Sequence, residues 1–377
     1  MQRPSGPSPR IVHLISSLGV GGAERLLVDF VRALDVAQAR NVTVVVMNEA
    51  DPALLEKLRE GPAQVVAWNR PRGSRDPRYL GRLLKLTSDT RPTIIHAHNR
   101  GSKMWAMLAK LAQPRLRVVF TVHAMNVASG YGARHRMLHN ALVDRTVAIS
   151  RAVTRECEES GLRNVVLIPN GVDLSRFRTA EEPLACRLER EPDRIPLLVT
   201  VARLVHDIKG QDVLIEAAAL LRARGTPVRI RLVGSPSRDQ PETPALLASL
   251  VERHGLADSV EIAEGVSDAA EHIRDADICV VPSRQEGFGL VILEAMAAGV
   301  PVVASRLDGP AELISDGING YLAHAGDPCD LADKIARMLE DRPAASRFVQ
   351  EGRSTAAAHD IEVMRDAYLT LYRTLTA

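Results

Sequence analysis

The feature that most constrains this chain is an alternation. Short apolar runs recur along it, each followed by a stretch with helical spacing. In the first half the runs are IVHLI (11–15), VTVVVM (42–47), QVVAW (64–68), TIIHAH (93–98), RVVFTVH (117–123), RTVAIS (145–150) and VVLIPN (165–170). Between them lie stretches such as AERLLVDFVRAL and SKMWAMLAKLA, whose apolar residues fall three and four apart, as a helix requires. Strands that are apolar on both faces and alternate with helices predict a parallel, doubly wound sheet. The pattern breaks at RTAEEPLACRLEREPDRIP (178–196), a charged, proline-containing stretch that reads as a linker. It then restarts with LLVTVAR (197–203), VRIRLVG (228–234), VEIAEG (260–265), ADICVVPS (276–283), VPVVAS (300–305) and GYLA (320–323). A last helical stretch runs from about His359 to Thr376. The expected architecture is two Rossmann-like domains, with ligands bound in a cleft between the carboxyl ends of two sheets.

A chain of 377 residues suits two such domains. Its net charge of +2 hides an asymmetry. Up to Arg178 there are 27 Lys/Arg against 14 Asp/Glu; from Thr179 onward there are 21 against 32. A basic half and an acidic half imply different partners, and the basic half suits an anionic surface or a phosphorylated substrate. Aromatics are only 3% of the chain, so stacking platforms for nucleic acid are scarce. Cys157, Cys186, Cys279 and Cys329 form no CxxC pair or zinc spacing and read as small buried apolar residues. No apolar run approaches the roughly 20 residues that span a bilayer. The expected location is cytoplasmic, with possible contact at the inner face of the membrane.

One apolar stretch carries two carboxylates. EGFGLVILEAMAAGVPVVAS (286–305) holds Glu286 and Glu294, with Gly287 and Gly289 between them. Burying a carboxylate without partners is costly, so both should be hydrogen-bonded. The stretch reads as a turn, a short helix ended near Gly299, and a strand. Free amides at the helix start make an anion site. A carboxylate also suits the cis-diol of a ribose, since it accepts two hydrogen bonds at once. Taken alone, two glutamates eight apart would more often be a cap-region acid and a solvated helix residue.

The whole string resembles the signature of the retaining glycosyltransferases of family 4, which have the GT-B fold. This resemblance implies that Glu294 holds the ribose hydroxyls and Glu286 those of the donor sugar. It also implies that the backbone at Gly287, Phe288, Gly289 and Leu290 approaches sugar and phosphate. ARLVHDIKGQDVLIEA is similar to the family's Arg…Lys-Gly segment, so Arg203 and Lys209 are expected to grip the diphosphate, with no metal or other cofactor required. The six-residue spacing is one longer than the usual family form. SSLGVGGAER (16–25) departs from the G-x-G-x-x-G dinucleotide fingerprint and resembles the family's glycine loop, placing Gly21 and Gly22 at the donor phosphates. By the same resemblance His123 lies near the transferred bond and, with His98, lines the acceptor side. His96 is expected to face inward, opposite to His98. IPNGVD (168–173) reads as a structural turn, and LDGPAELI carries Asp308-Gly309 where the family more often has paired glycines.

The resulting boundaries are an acceptor domain at 1–185, a nucleotide-sugar domain at 186–358, and a helix at 359–377 crossing back to the first domain. The implied activity moves a sugar from a nucleotide sugar, with UDP as the expected nucleotide, to a saccharide or lipid-linked saccharide. Catalysis is assigned to Glu286, His123, Arg203 and Lys209, in cell-envelope polysaccharide or glycolipid synthesis. Two alternatives remain: a nucleotide-sugar 2-epimerase of the same fold, or a non-catalytic binding protein. A segment with Arg70, Arg72, Arg75, Arg78, Arg82 and Lys85 against one acid, Asp76, reads either as a basic membrane-surface helix or as a solvated helix with its leucines in the core.

Overall fold

The computed structural model describes residues 9–19, 21–74, 76–177, 194–265 and 269–377. The chain divides into two compact units, Met1–Gly171 with Ile361–Ala377, and Val172–Asp360. The linker stretch 178–193, the boundary drawn at 185/186, Cys186 and Arg75 lie outside the described residues.

Every apolar run of the first half is a strand. β1 (Ile11–Ile15), β2 (Val42–Val46), β3 (Gln64–Ala67), β4 (Ile94–Ala97), β5 (Arg117–Val122), β6 (Arg145–Ala148) and β7 (Val165–Leu167) form one sheet in the order β3-β2-β1-β4-β5-β6-β7. All pairings are parallel. Helices cover both faces, so β1, β2 and β4 are buried along their whole length. The helix Gly22–Arg32 turns Leu26, Leu27, Phe30 and Val31 inward. The C-terminal helix Ile361–Thr376 packs against it and so belongs to the first unit.

The second unit repeats the design. β8 (Leu197–Val201), β9 (Arg229–Val233), β10 (Val260–Ala263), β11 (Ile278–Val281), β12 (Val302–Ser305) and β13 (Tyr321–Ala323) form a sheet in the order β10-β9-β8-β11-β12-β13. Its core joins Leu198, Leu232, Val280 and Val303 of the sheet to Leu214, Leu331 and Phe348 of the helices. Strand order reverses between β1 and β4 in one sheet and between β8 and β11 in the other. Such switch points leave a crevice at the carboxyl ends of the strands, because the flanking connections depart to opposite faces.

One expectation changes, and one of two open readings is favoured. Cys157 and Cys279 are buried, but Cys329 is exposed, because it sits in the first turn of the helix Pro328–Glu340. The basic segment forms the helix Arg78–Thr90, with Leu83 fully buried and Leu80 and Leu84 half-buried. Its leucines face the core, while Arg78, Arg82 and Lys85 are exposed. Among the described residues no helix is long and apolar enough to cross a membrane.

Candidate active site

In the second unit the predicted residues cluster at the β8/β11 switch point. After β11 the chain turns through Pro282–Gly289 and enters the helix Leu290–Ala298. Gly289, at φ 96°, is the N-cap and provides no side-chain hydrogen bond. The Ile292 amide turns back onto the Gly289 carbonyl at 2.9 Å, so the amides of Leu290 and Val291 are the ones a bound anion would meet. Phe288 is buried against the His359 ring, so only its backbone is offered to a ligand.

The loop after β8 is clamped to this turn. The Arg284 amide donates to the Ile208 carbonyl, and its guanidinium forks onto both Asp212 oxygens at 2.7 Å. A Cβ on Gly210 would lie 1.9 Å from the Pro282 carbonyl oxygen, so only glycine permits this approach. The clamp brings Lys209 Nζ to 2.8 Å from Glu286 Oε2, with both side chains mostly buried. Lys209 is thus the partner that Glu286 requires. Glu294, half-buried in the helix, lies close enough to Cys279 that its charge adds to burial in raising that thiol's pKa. Arg203 is exposed, and its side chain makes no hydrogen bond or ion pair among the described residues. Its carbonyl accepts from Gln211 Nε2 at 2.8 Å, which fixes the loop but leaves the guanidinium free to swing. A Cβ on Gly309 would fall 2.6–2.8 Å from backbone atoms of Glu286, Gly287 and Phe288. Of the Asp308-Gly309 pair, the second position therefore carries the steric demand.

The first unit places its residues at the β1/β4 switch point in the same way. Gly21 is the N-cap of the helix Gly22–Arg32 and makes no side-chain cap hydrogen bond, while the Glu24 carboxylate folds back onto it, 2.5 Å from where a Gly21 Cβ would lie. Ser16 Oγ donates to Asn99 Oδ1, and Asn99 closes a capping box with Ser102 at the start of the helix Arg100–Ala112. The loops after β1 and β4 are thereby tied together.

The histidines differ from expectation. His96 and His98 do not face opposite ways. Residues two apart on a strand share a face, and their rings stand 4.2 Å apart. His96 is held between Tyr372 Oη at 2.6 Å and Thr121 Oγ1 at 2.7 Å, beneath the C-terminal helix. His98 Nε2 meets His13 Nδ1 at 2.9 Å, and His98 Nδ1 meets His123 Nε2 at 3.3 Å. Burial holds His13 down to about 3 and His123 to about 4, and puts His96 and His98 well below the usual imidazole range. All four are therefore neutral, with one donor and one acceptor nitrogen each. Hydrogen bonds along His13–His98–His123 must then run in one direction. The two outer nitrogens, His13 Nε2 and His123 Nδ1, are buried and have no partner. One of them carries a proton and the other a lone pair. His13, His96 and His98 present ring nitrogens within 4.8 Å of one another, as a metal site would. The nitrogens of His96 and His98, however, are already committed to Tyr372, Thr121, His13 and His123, which is the arrangement of a hydrogen-bonded network. The sequence reading missed His13, Tyr368 and Tyr372. The signal was the shared register of His13 and His96 on adjacent strands, legible only once β1 and β4 are paired.

Comparison with known proteins bears on the family and the fold. The profile described as Glycosyltransferase Family 4 matches residues 20–176, and that of Glycosyl transferases group 1 matches residues 195–341. The chain belongs to glycosyltransferase family 4. A D-inositol 3-phosphate glycosyltransferase of Geodermatophilus obscurus is 33% identical over 273 residues, 67% of this chain and 60% of that protein. A second, from Catenulispora acidiphila, is 41% identical over 176 residues, 45% of this chain and 41% of its own. The alignments thus span less than two thirds of these relatives. Among solved structures, Anabaena Alr3699/HepE in complex with UDP-glucose superposes with a TM-score of 0.83 at 23% identity, covering 97% of this chain and 99% of that one. Sucrose-phosphate synthase of Thermosynechococcus elongatus gives 0.78 at 22%, covering 97% and 99%. The shared fold is GT-B.

Proposed function

We propose that this protein is a retaining glycosyltransferase that takes its sugar from a nucleotide sugar, with UDP as the nucleotide. The observation that carries the reading is the Lys209–Glu286 pair at the β8/β11 switch point, beside an uncapped helix start. A donor diphosphate needs fixed positive charge and open amides, and a sugar needs a carboxylate acceptor. Both lie within one clamped loop pair. Glu294, one turn into the helix, takes the ribose diol.

In the reaction the C1–oxygen bond to the diphosphate breaks and a C1–oxygen bond to the acceptor hydroxyl forms on the same face. The hydroxyl proton passes to the departing phosphate oxygen. Lys209, Arg203 and the amides near Gly289 stabilise the charge that develops on the diphosphate, and no metal is needed for that role. By the family resemblance Gly21 and Gly22 serve the donor phosphates, and His123 and His98 serve the acceptor side. The acceptor is a hydroxyl of a saccharide or lipid-linked saccharide; the names of the relatives make D-inositol 3-phosphate one to include in the screen.

The test is a thermal-shift panel of UDP, GDP, ADP and their sugars, followed by product analysis. A ligand that binds only the folded state raises the melting temperature. UDP and one UDP-sugar should do so, and Glu294→Ala should abolish the shift. The product's anomeric configuration should match the donor's, and EDTA should leave turnover unchanged. Release of UDP with a 2-epimerised sugar and no acceptor product would establish the epimerase alternative instead. Binding without turnover of any acceptor would favour the non-catalytic one.

A further inference from the structure

Between Asp89 and Asp144 the chain contains no Asp or Glu, although it carries Arg91, Arg100, Lys103, Lys110, Arg115, Arg117, Arg134 and Arg136. This acid-free stretch includes two neighbouring helices of the first unit, Arg100–Ala112 and Ala133–Leu142. Both leave large apolar side chains in water. On the first, Met104, Leu108 and Leu111 are 44%, 38% and 62% exposed. Their i, i+4, i+7 spacing puts them in one stripe. On the second, Met137 and Leu138 are 64% and 45% exposed. Single exposed hydrophobics are ordinary, but five on two adjacent helices form a patch.

The two helices themselves carry only basic charge. Arg100, Arg115 and Arg134 are exposed on or beside the two helices. The helix Arg78–Thr90, which packs against the first of them, adds exposed Arg78, Arg82 and Lys85. Of the nearby acids, Asp76 pairs with Arg78, Asp89 with Lys85, and Asp144 with Lys110 and Arg117, while Glu158 and Glu159 are exposed at the end of the helix whose following carbonyls, Ser160 and Gly161, accept from Arg136 and Asn140. We infer that this face docks on an anionic bilayer, with Met104, Leu108, Leu111, Met137 and Leu138 in the interfacial layer and the arginines at the headgroups. Apolar insertion combined with basic flanks is the chemistry of peripheral binding. A second copy of this chain is a poorer occupant, because a two-fold contact would set the acid-free face against itself. The inference does not depend on which sugar is transferred. It also moves the membrane-facing role from the 70–85 segment, whose leucines face the core, to the two helices that follow it.

The experiment is flotation of the full chain with vesicles of phosphatidylcholine alone and of phosphatidylcholine mixed with phosphatidylglycerol, whose negative surface attracts basic segments. The protein should float with the anionic vesicles only, and less so at high salt. Combining Met104→Ser, Leu108→Ser and Leu111→Ser should lower partitioning about tenfold or more. Val363→Ser, at a position 56% exposed on the C-terminal helix, should change nothing. UDP thermal shifts of all variants should match the parent, which separates this test from that of the catalytic reading. Three results would overturn the inference: no flotation with anionic vesicles, a triple variant that floats like the parent, or a parent that sediments as a dimer while the triple variant is a monomer.

Discussion

At the scale of single residues, the second unit's site rests on contacts that admit no slack. Gly309 is the clearest case. An added methyl would meet three backbone atoms of the 286–288 turn at 2.6–2.8 Å, and none of these can rotate away. Gly309→Ala should therefore displace the turn, cost about 1–3 kcal/mol of stability, and remove the UDP thermal shift. Retention of that shift would mean the turn is not part of the donor site. Lys209 gives a second prediction. Lys209→Ala would leave Glu286 mostly buried without its cation and should weaken donor binding by about tenfold or more. Glu286→Gln keeps a hydrogen-bonding partner for Lys209, so UDP affinity should hold while turnover falls; calorimetry with UDP and initial rates with the UDP-sugar separate the two. The glycines and glutamates were legible in the sequence because close backbone approach and carboxylate chemistry are written in residue type. The Lys209–Glu286 pair was not, since it spans 77 positions and exists only because Arg284 and Asp212 lock two loops together.

At the scale of elements, every apolar run proved to be a strand, because a strand buried on both faces needs uninterrupted Val, Ile and Leu and leaves a plain mark. Helix faces were harder to read. The spacing of Leu80, Leu83 and Leu84 fits a core-facing and a membrane-facing helix equally, and only burial decides between them. Within that helix Gly81 is exposed, and a Cβ there would meet nothing within 4 Å. Gly81→Ala should thus stabilise the first unit by about 0.5–1 kcal/mol, seen as a higher melting temperature. The C-terminal helix behaves differently. Tyr372 is fully buried, and its hydroxyl holds His96 at 2.6 Å. Tyr372→Phe should cost about 1–3 kcal/mol, because it removes the hydroxyl partner of the buried His96 Nδ1. The sequence could not announce this bond, which joins residues 276 positions apart.

At the scale of the whole molecule, the two units should answer acid differently. The first unit buries His13, His96, His98, His123 and His139 as neutral rings, with burial the leading cause; His139 is held down to about 3, with Lys103 as a second cause. In the unfolded chain these rings titrate near the ordinary value of about 6.5. Above that pH neither state binds the protons, and the depressed values cost nothing. Below it the unfolded chain takes up protons that the fold refuses, so stability falls as pH falls. Each ring contributes up to about 1.4 kcal/mol per pH unit until its folded value is reached. All five act in the same direction, against a margin that in a typical domain is only about 5–15 kcal/mol. In the second unit the depressed groups are instead Asp316 and Asp330, held down by hydrogen bonds from Leu322 and His324 among others. Their contribution is complete above the ordinary carboxylate range and is lost only as pH drops through it. Calorimetry between pH 7.5 and 4.5 should therefore show one transition collapsing below pH 6.5 while a second persists to more acid conditions. His139→Gln, which removes one refused proton, should flatten the slope of the sensitive transition. If neither transition lost stability between pH 6.5 and 4.5, the buried rings would have to take up protons in the fold, and the neutral histidine network would have to be abandoned.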